Sequence, residues 1–518
     1  MKWYEDEKLI KQSIRHDETM DNEDIKGIYS AIDESIKLSD DDELHPLIRA
    51  KYYYMIGTSY YKLVYLQDDV KNIEESISKS LYFHTESINI QNQYSTCHRI
   101  MSDEEYYYNQ MLLDQSRVNY SNILSGLGRL PSAIESIFQT AKNGFGMGIA
   151  NLGEYLVHYA DLDYDYGHKL ILYSESFNLY KSALKIKDSS IYEDARKYYK
   201  SKLDRLEKIL DSVSYKFPGT IELFKEQEPL DWEDFSISEE DRYNDWKVKH
   251  SLVLNTLNDY NKSSEVPNDI LHLPNMKESL KFTTPRFHGL FNIIKQEYCS
   301  ARYNIFDGIY NKKLHFSDKD VYIANTFDYS VNNINIEKVK SAYKSVYSVF
   351  DKIAYFLNEY YKLEIPRRII NFNNVWREQI TINKKKIDNP IREYMSSNYI
   401  LRGLYWIKKD LYNDDTHGYK GLVNTRLNTA YNIRNNMEHQ YLKILDGEFE
   451  PIYNPENEIA SMIVSRAEFE ELSIVLLKTV REAIIMLVQS VYINEKNNDN
   501  EIESFPIILQ AIEDDWKV

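Results

Sequence analysis

The stretch YNIRNNMEHQYLKI, residues 431–444, places three side chains suited to phosphodiester chemistry close together: Arg434, Asn435 and His439. RNA carries its own nucleophile, the 2′-hydroxyl, so it can be cleaved without a metal. One group must take the hydroxyl proton and another must steady the charge of the phosphorane. Histidine titrates near neutrality and fits the first task. Arginine is always charged and fork-shaped, and it fits the second. Asn435 can hydrogen-bond a phosphate or orient a partner.

The segment that carries them reads as a helix over 421–444. Leu427, Ala430, Arg434, Met437 and Tyr441 recur at spacings of three and four and share a face. Four of them suit a core. A guanidinium there is costly unless it is paired or used. His439 lies about 140° further around a regular helix, so one straight helix does not bring the two together. A kink, a frayed end or a second copy of the helix would. The bland alternative pairs Arg434 with a carboxylate such as Glu438, Asp410 or Glu297 and leaves His439 as a surface histidine. Glu297, Arg302, Asp351 and Lys352 are candidates for supporting roles, or plain intramolecular ion pairs.

Other motifs carry less. GFGMG (144–148) has no preceding strand and lacks the G-x-G-x-x-G spacing of a dinucleotide site. DLDYDYG (161–167) has its glycine one place late for a calcium loop and no closing glutamate, so it reads as an acidic turn. No metal or cofactor is expected. The basic run NKKKIDNPIR (383–392) is either a solvated loop or a local phosphate attractor, and Arg367 and Arg368 after Pro366 are similar.

The chain has 518 residues and a formal charge of −18, which argues against a protein that coats nucleic acid non-specifically. A local basic pocket is still allowed. Two cysteines far apart, Cys97 and Cys299, build no disulfide framework, so a reducing cytoplasm is expected. The start, MKWYEDEKLIKQ, has no apolar core of a signal peptide. With 16 Gly and 12 Pro, punctuation is sparse and long helices are expected. The 45 Tyr read as compositional bias.

The expected fold is all-α in three parts. Residues 1–215 read as consecutive helical hairpins, for example 46–63 with 73–88, and 117–141 with a turn at Gly128, Arg129 and Pro131. Asn151, Leu152 and Gly153 echo Asn122, Ile123 and Leu124 about thirty residues earlier. These hairpins resemble degenerate tetratricopeptide (TPR) repeats, whose period is about 34 residues and whose stacking leaves a concave groove. Residues 216–282 are acidic, helix-poor around 226–246, and read as a solvated connection. Residues 283–518 hold long periodic helices at 290–310, 336–363, 399–412, 421–444 and 467–493, an antiparallel bundle. Residues 315–330 read as a short extended piece.

Arg434-Asn435-x-x-x-His439 matches the R-x4-6-H signature of the HEPN superfamily (higher eukaryotes and prokaryotes nucleotide-binding). KQEYCSARY (295–303), VYSVFDKIAYFLNEYYKL (346–363) and LRGLYWIKKDLY (401–412) carry the same resemblance, to a branch in which TPR-like repeats precede a C-terminal HEPN domain. The resemblance implies a metal-independent endoribonuclease with Arg434, Asn435 and His439 as its catalytic residues and RNA as its substrate. It further implies a homodimer whose paired motif helices form one cleft, and a role as a toxin or effector in phage defence or a toxin–antitoxin pair. The groove of the repeats then suits a protein or phage-derived trigger. Two other readings stand beside this one: a non-catalytic TPR–HEPN adaptor binding RNA, nucleotide or protein, and the toxin partner of a separate nucleotidyltransferase antitoxin.

Overall fold

The computed structural model describes residues 2–97, 101–187, 191–212, 230–260, 266–276, 285–325, 330–382, 385–412, 425–446, 461–497, 512 and 514–517. Within these the fold is almost entirely helical. Nine helices come first: α1 (Glu7–Asp21), α2 (Ile25–Ser39), α3 (Pro46–Leu66), α4 (Val70–Cys97), α5 (Asp103–Gly126), α6 (Leu130–Lys142), α7 (Gly146–Leu162), α8 (Tyr166–Lys185) and α9 (Glu193–Ser212). Each packs on the next in chain order, as stacked hairpins must.

Local chemistry sets their ends. Asp6, Ser102 and Asp165 accept from the backbone N–H groups of Leu9, Glu105 and His168 and so cap α1, α5 and α8. The acidic turn DLDYDYG is therefore a cap, and its Asp163 also accepts the Thr256 hydroxyl at 2.6 Å. Gly128 breaks α5 from α6 with φ +81°, and the Tyr399 carbonyl lies 3.0 Å from where a Cβ would stand. GFGMG serves packing: a Cβ on Gly148 would sit 2.6 Å from Thr140 Cγ2. The two asparagines of the sequence echo meet directly, Asn151 Nδ2 donating to Asn122 Oδ1 at 3.0 Å.

The second half contains α10 (Glu239–Lys249), α11 (Arg286–Tyr310), α12 (Ile334–Tyr360), the hairpin β1 (Gln379–Ile382) and β2 (Lys385–Asp388), α13 (Ile391–Ser397), α14 (Tyr399–Leu411), α15 (Thr425–His439), β3 (Tyr441–Leu445), β4 (Ser461–Ser465) and α16 (Arg466–Asn497). Helices α11, α12, α14 and α15 all pack against α16. The apolar stripes of α12 and α16 are buried as the periodicity requires: Val346, Phe350, Ile353 and Leu357 on α12, and Phe469, Leu476, Val480 and Leu487 on α16. No helix among the described residues is long and apolar enough to cross a membrane.

Three expectations are corrected. The helix expected over 421–444 ends at His439, and 441–445 form β3, which pairs in parallel with β4. The alternation Leu442–Lys443–Ile444 also fits a strand, and only the distant partner 461–465 reveals it. The extended piece in 315–330 is confined to its end: Phe316–Asp318 is a 3-10 turn, and Ser330 bridges Leu445. The acidic connection is not simply solvated. Residues 239–249 are helical and Trp246 is fully buried, with its ring against Phe306 of α11. The expected domain limits at 215/216 and 282/283 lie outside the described residues.

The two halves share one apolar core that runs from Leu81 on α4 to Val491 on α16. Three buried arginines tie the seam. Arg129, at the start of α6, reaches Asp410 of α14 at 2.5 Å and Glu482 of α16 at 2.8 Å. Arg481 of α16 holds Asp259 at 2.6 Å and the backbone carbonyls of Val253 and Asn255. Arg302 of α11 forks onto both oxygens of Asp269. Asp259 also accepts the Tyr159 hydroxyl of α7 at 2.5 Å, so the connecting segment is gripped from both sides.

Candidate functional site

Helix α15 is unbroken from Thr425 to His439 and buries Leu427, Ala430 and Ile433 at its centre. The buried line is therefore rotated from the expected stripe. Ile433 replaces Arg434 in it, Arg434 and Met437 flank it half-buried, and Tyr441 is exposed on β3. The Tyr343 hydroxyl of α12 locks the helix by donating to the Ala430 carbonyl at 2.9 Å.

Arg434 lies at this border with its guanidinium over the ring of Tyr347 on α12, 5.4 Å from the centroid. Such a contact positions a cation without neutralising it. Its Nη1 donates to Asn435 Oδ1 at 3.1 Å, so the polar residue after the arginine orients it. Beneath it, Tyr347 hydrogen-bonds Tyr412 at 2.9 Å, and the rings of Tyr412 and Tyr431 meet edge to face. Burial pushes the Tyr347 phenol well above its ordinary range, so this floor is neutral.

The carboxylates that might have neutralised Arg434 are engaged elsewhere. Glu438 pairs with Lys344 at 3.8 Å, Asp410 with Arg129, and Glu297 with Lys352 at 2.5 Å. No carboxylate among the described residues lies within ion-pair distance of Arg434. The nearest influence is Asp351 on α12, which accepts the Phe372 N–H at 2.9 Å. Burial raises its carboxyl, and the Phe372 N–H and the Arg434 charge pull it back. Of the four supporting candidates, Glu297 and Lys352 pair with each other and Arg302 pairs with Asp269. Only Asp351 faces the arginine.

His439 is the last residue of α15, exposed, separated from β3 by Gln440 alone, and makes no hydrogen bond among the described residues. It stands about 140° around and roughly 7.5 Å along the axis from Arg434. The structure thus brings Arg434 and Asn435 into contact and leaves His439 apart on the adjoining surface. Sequence reading missed Tyr347 as the support for Arg434. Its signal was the four-residue step from Tyr347 to Asp351 beside the apolar stripe of α12.

Residues 279–494 match the family model described as LA2681-like HEPN, so the chain carries a HEPN domain in its C-terminal half, preceded by the helical-hairpin region. Neither the curated proteins nor the solved structures yield a match.

Proposed function

We propose that this chain is a metal-independent RNA endonuclease whose TPR-like half regulates it. The observation that carries the reading is the state of Arg434: half-buried, braced by Tyr347 and Asn435, and without a counter-ion among the described residues, with an exposed histidine five residues on in the same helix. A buried-edge cation left unneutralised suits an anion that arrives from outside.

The chemistry is a transesterification. A base removes the 2′-hydroxyl proton as the oxygen attacks phosphorus. The P–O5′ bond breaks, and the leaving oxygen takes up a proton. The products are a 2′,3′-cyclic phosphate and a 5′-hydroxyl. His439 moves the proton at the 2′-hydroxyl or at the leaving oxygen. Arg434 stabilises the phosphorane, and Asn435 fixes its orientation. Because α15 is straight, the pair is completed by a second copy of the helix: a homodimer in which Arg434 of one protomer and His439 of the other face one phosphate. In this reading the protein is a toxin or effector of anti-phage defence or of a toxin–antitoxin system, held in check by its N-terminal half until a trigger binds there.

The test is incubation of wild-type and His439→Ala protein with total RNA in EDTA, with product ends mapped. The expected result is cleavage by the wild type alone, leaving cyclic phosphates. Equal cleavage by clean His439→Ala protein would remove the histidine from the mechanism. Activity lost in chelator and restored by magnesium would overturn the metal-free chemistry. A full-length chain that binds RNA but cuts none would be the adaptor instead.

A further inference from the structure

The segment after α12 differs in charge from the rest of the molecule. Residues 366–389 hold six Lys or Arg and two acidic residues in a chain of net charge −18. Four of its apolar residues face inward: Ile370, Phe372, Val375 and Trp376 are buried, and Phe372 packs on Phe350 with ring centroids 4.9 Å apart. Arg367, Arg368, Arg377 and Lys386 point the other way. All four are exposed, and none has an ion-pair partner among the described residues.

One stripe of α12 joins this segment to the candidate site. Tyr347, Asp351 and Tyr355 follow at four-residue steps and so share a helix face. Tyr347 carries Arg434 on its ring. Asp351 accepts the Phe372 N–H at 2.9 Å, and the Tyr355 hydroxyl donates to the Arg367 carbonyl at 2.7 Å. Eight residues of helix separate the two ends by roughly 12 Å. A stacked strand rising roughly 3.4 Å per nucleotide covers that in three to four nucleotides. Anchoring by buried aromatics makes the segment a firm support, so its backbone loses little freedom when its arginines meet phosphates.

We propose that residues 366–377 form the arm that holds single-stranded RNA beside the cleavage centre, with Arg367, Arg368 and Arg377 contacting the phosphates that flank the one at Arg434. This rests on the nuclease reading for the identity of the centre. The recognition itself is of a polyanionic backbone, independent of base sequence.

The test measures binding, not cleavage. In the full-length His439→Ala background, Arg367, Arg368 and Arg377 are replaced together by Gln. Anisotropy of a labelled single-stranded RNA of about 20 nucleotides, longer than a typical site, is then followed over roughly 0.05–0.2 M salt. Three lost phosphate contacts should weaken binding on the order of tenfold and flatten the slope of log Kd against log salt by roughly 2. Replacement by Lys should keep most of the slope, since lysine also neutralises phosphate. A charge-matched control, Lys8, Lys11 and Lys26 to Gln on the exposed faces of α1 and α2, should bind like the parent. An arm variant with unchanged Kd and slope overturns the proposal, as does a parent that binds no RNA or a control that weakens equally. Weakened binding by the arm variant, in a protein whose wild type cuts nothing, leaves the arm standing and the nuclease reading fallen. Unchanged binding in a protein that does cut RNA has the opposite meaning.

Discussion

Arg129 and Arg434 both lie at helix borders against the apolar core, yet their surroundings are opposite. Arg129 is enclosed and meets two carboxylates, Asp410 and Glu482. Arg481 and Arg302 are enclosed in the same way by Asp259 and Asp269. Arg434 instead rests on an aromatic ring and a neighbouring amide, and the acidic groups around it are spent on lysines or held by the backbone. Where an arginine is structural, the fold supplies its anion. Where it does not, the cation is available to something else.

Substitutions sharpen this contrast. Arg129→Met would leave Asp410 and Glu482 buried without a counter-charge, and urea denaturation should show a loss of about 3–5 kcal/mol. Retention of full stability would mean that the seam is not a tie. Arg434→Ala should reverse the pattern. Cleavage should fall on the order of a hundred- to a thousandfold, while stability changes by no more than about 1 kcal/mol, the worth of a partly exposed cation–π contact. A stability loss as large as at Arg129, with activity per folded molecule intact, would make Arg434 a structural residue after all.

Two further effects lie away from the candidate site. His84 on α4 is fully buried, with neither ring nitrogen hydrogen-bonded among the described residues, and burial pushes it down to about 3 from its ordinary 6.5. The unfolded chain therefore binds the proton more readily than the folded one. The stability it contributes is complete above pH 6.5 and declines as pH falls toward 3, by about 1.4 kcal/mol per pH unit. His84→Leu should flatten that acid limb in thermal melts taken between pH 4 and 7, and an unaltered limb would assign the acid sensitivity to other groups. Gly128→Ala must place a side chain at positive φ against the Tyr399 carbonyl. It should cost about 1–3 kcal/mol in the same melts, with no direct effect on the chemistry at Arg434.

The sequence disclosed what is periodic or local. The stripes of α12 and α16, the turn at Gly128 and the chemistry-bearing trio all repeat or cluster within a few residues. The ties of Arg129 and Arg481 were hidden because their partners lie 222 to 353 positions away, and even Asp269 lies 33 positions from Arg302. The acidic charge around Trp246 masked a buried helix, since charge density reads as solvation when the packing partner is unknown. β3 escaped notice because a parallel strand depends on a partner elsewhere in the chain. His439 was legible as a residue type. Its offset from Arg434 around a straight helix was legible too, but its place at the very end of α15 was not, because a one-dimensional reading could not tell where the helix stops.

The double grip on the connecting segment also limits how the molecule can be dissected. Cutting the chain at residue 282 to isolate the bundle would remove Asp259 and Asp269 along with the repeats. Arg481 and Arg302 would then stand charged and unanswered inside what remained. The two halves are thus not beads on a string. A fragment chosen by family boundaries alone would keep Arg434 and His439 and lose the counter-ions that let it fold. Any exchange of the helical-hairpin half for another would have to carry residues 252–271 with the bundle and supply a cation in place of Arg129 for Asp410 and Glu482.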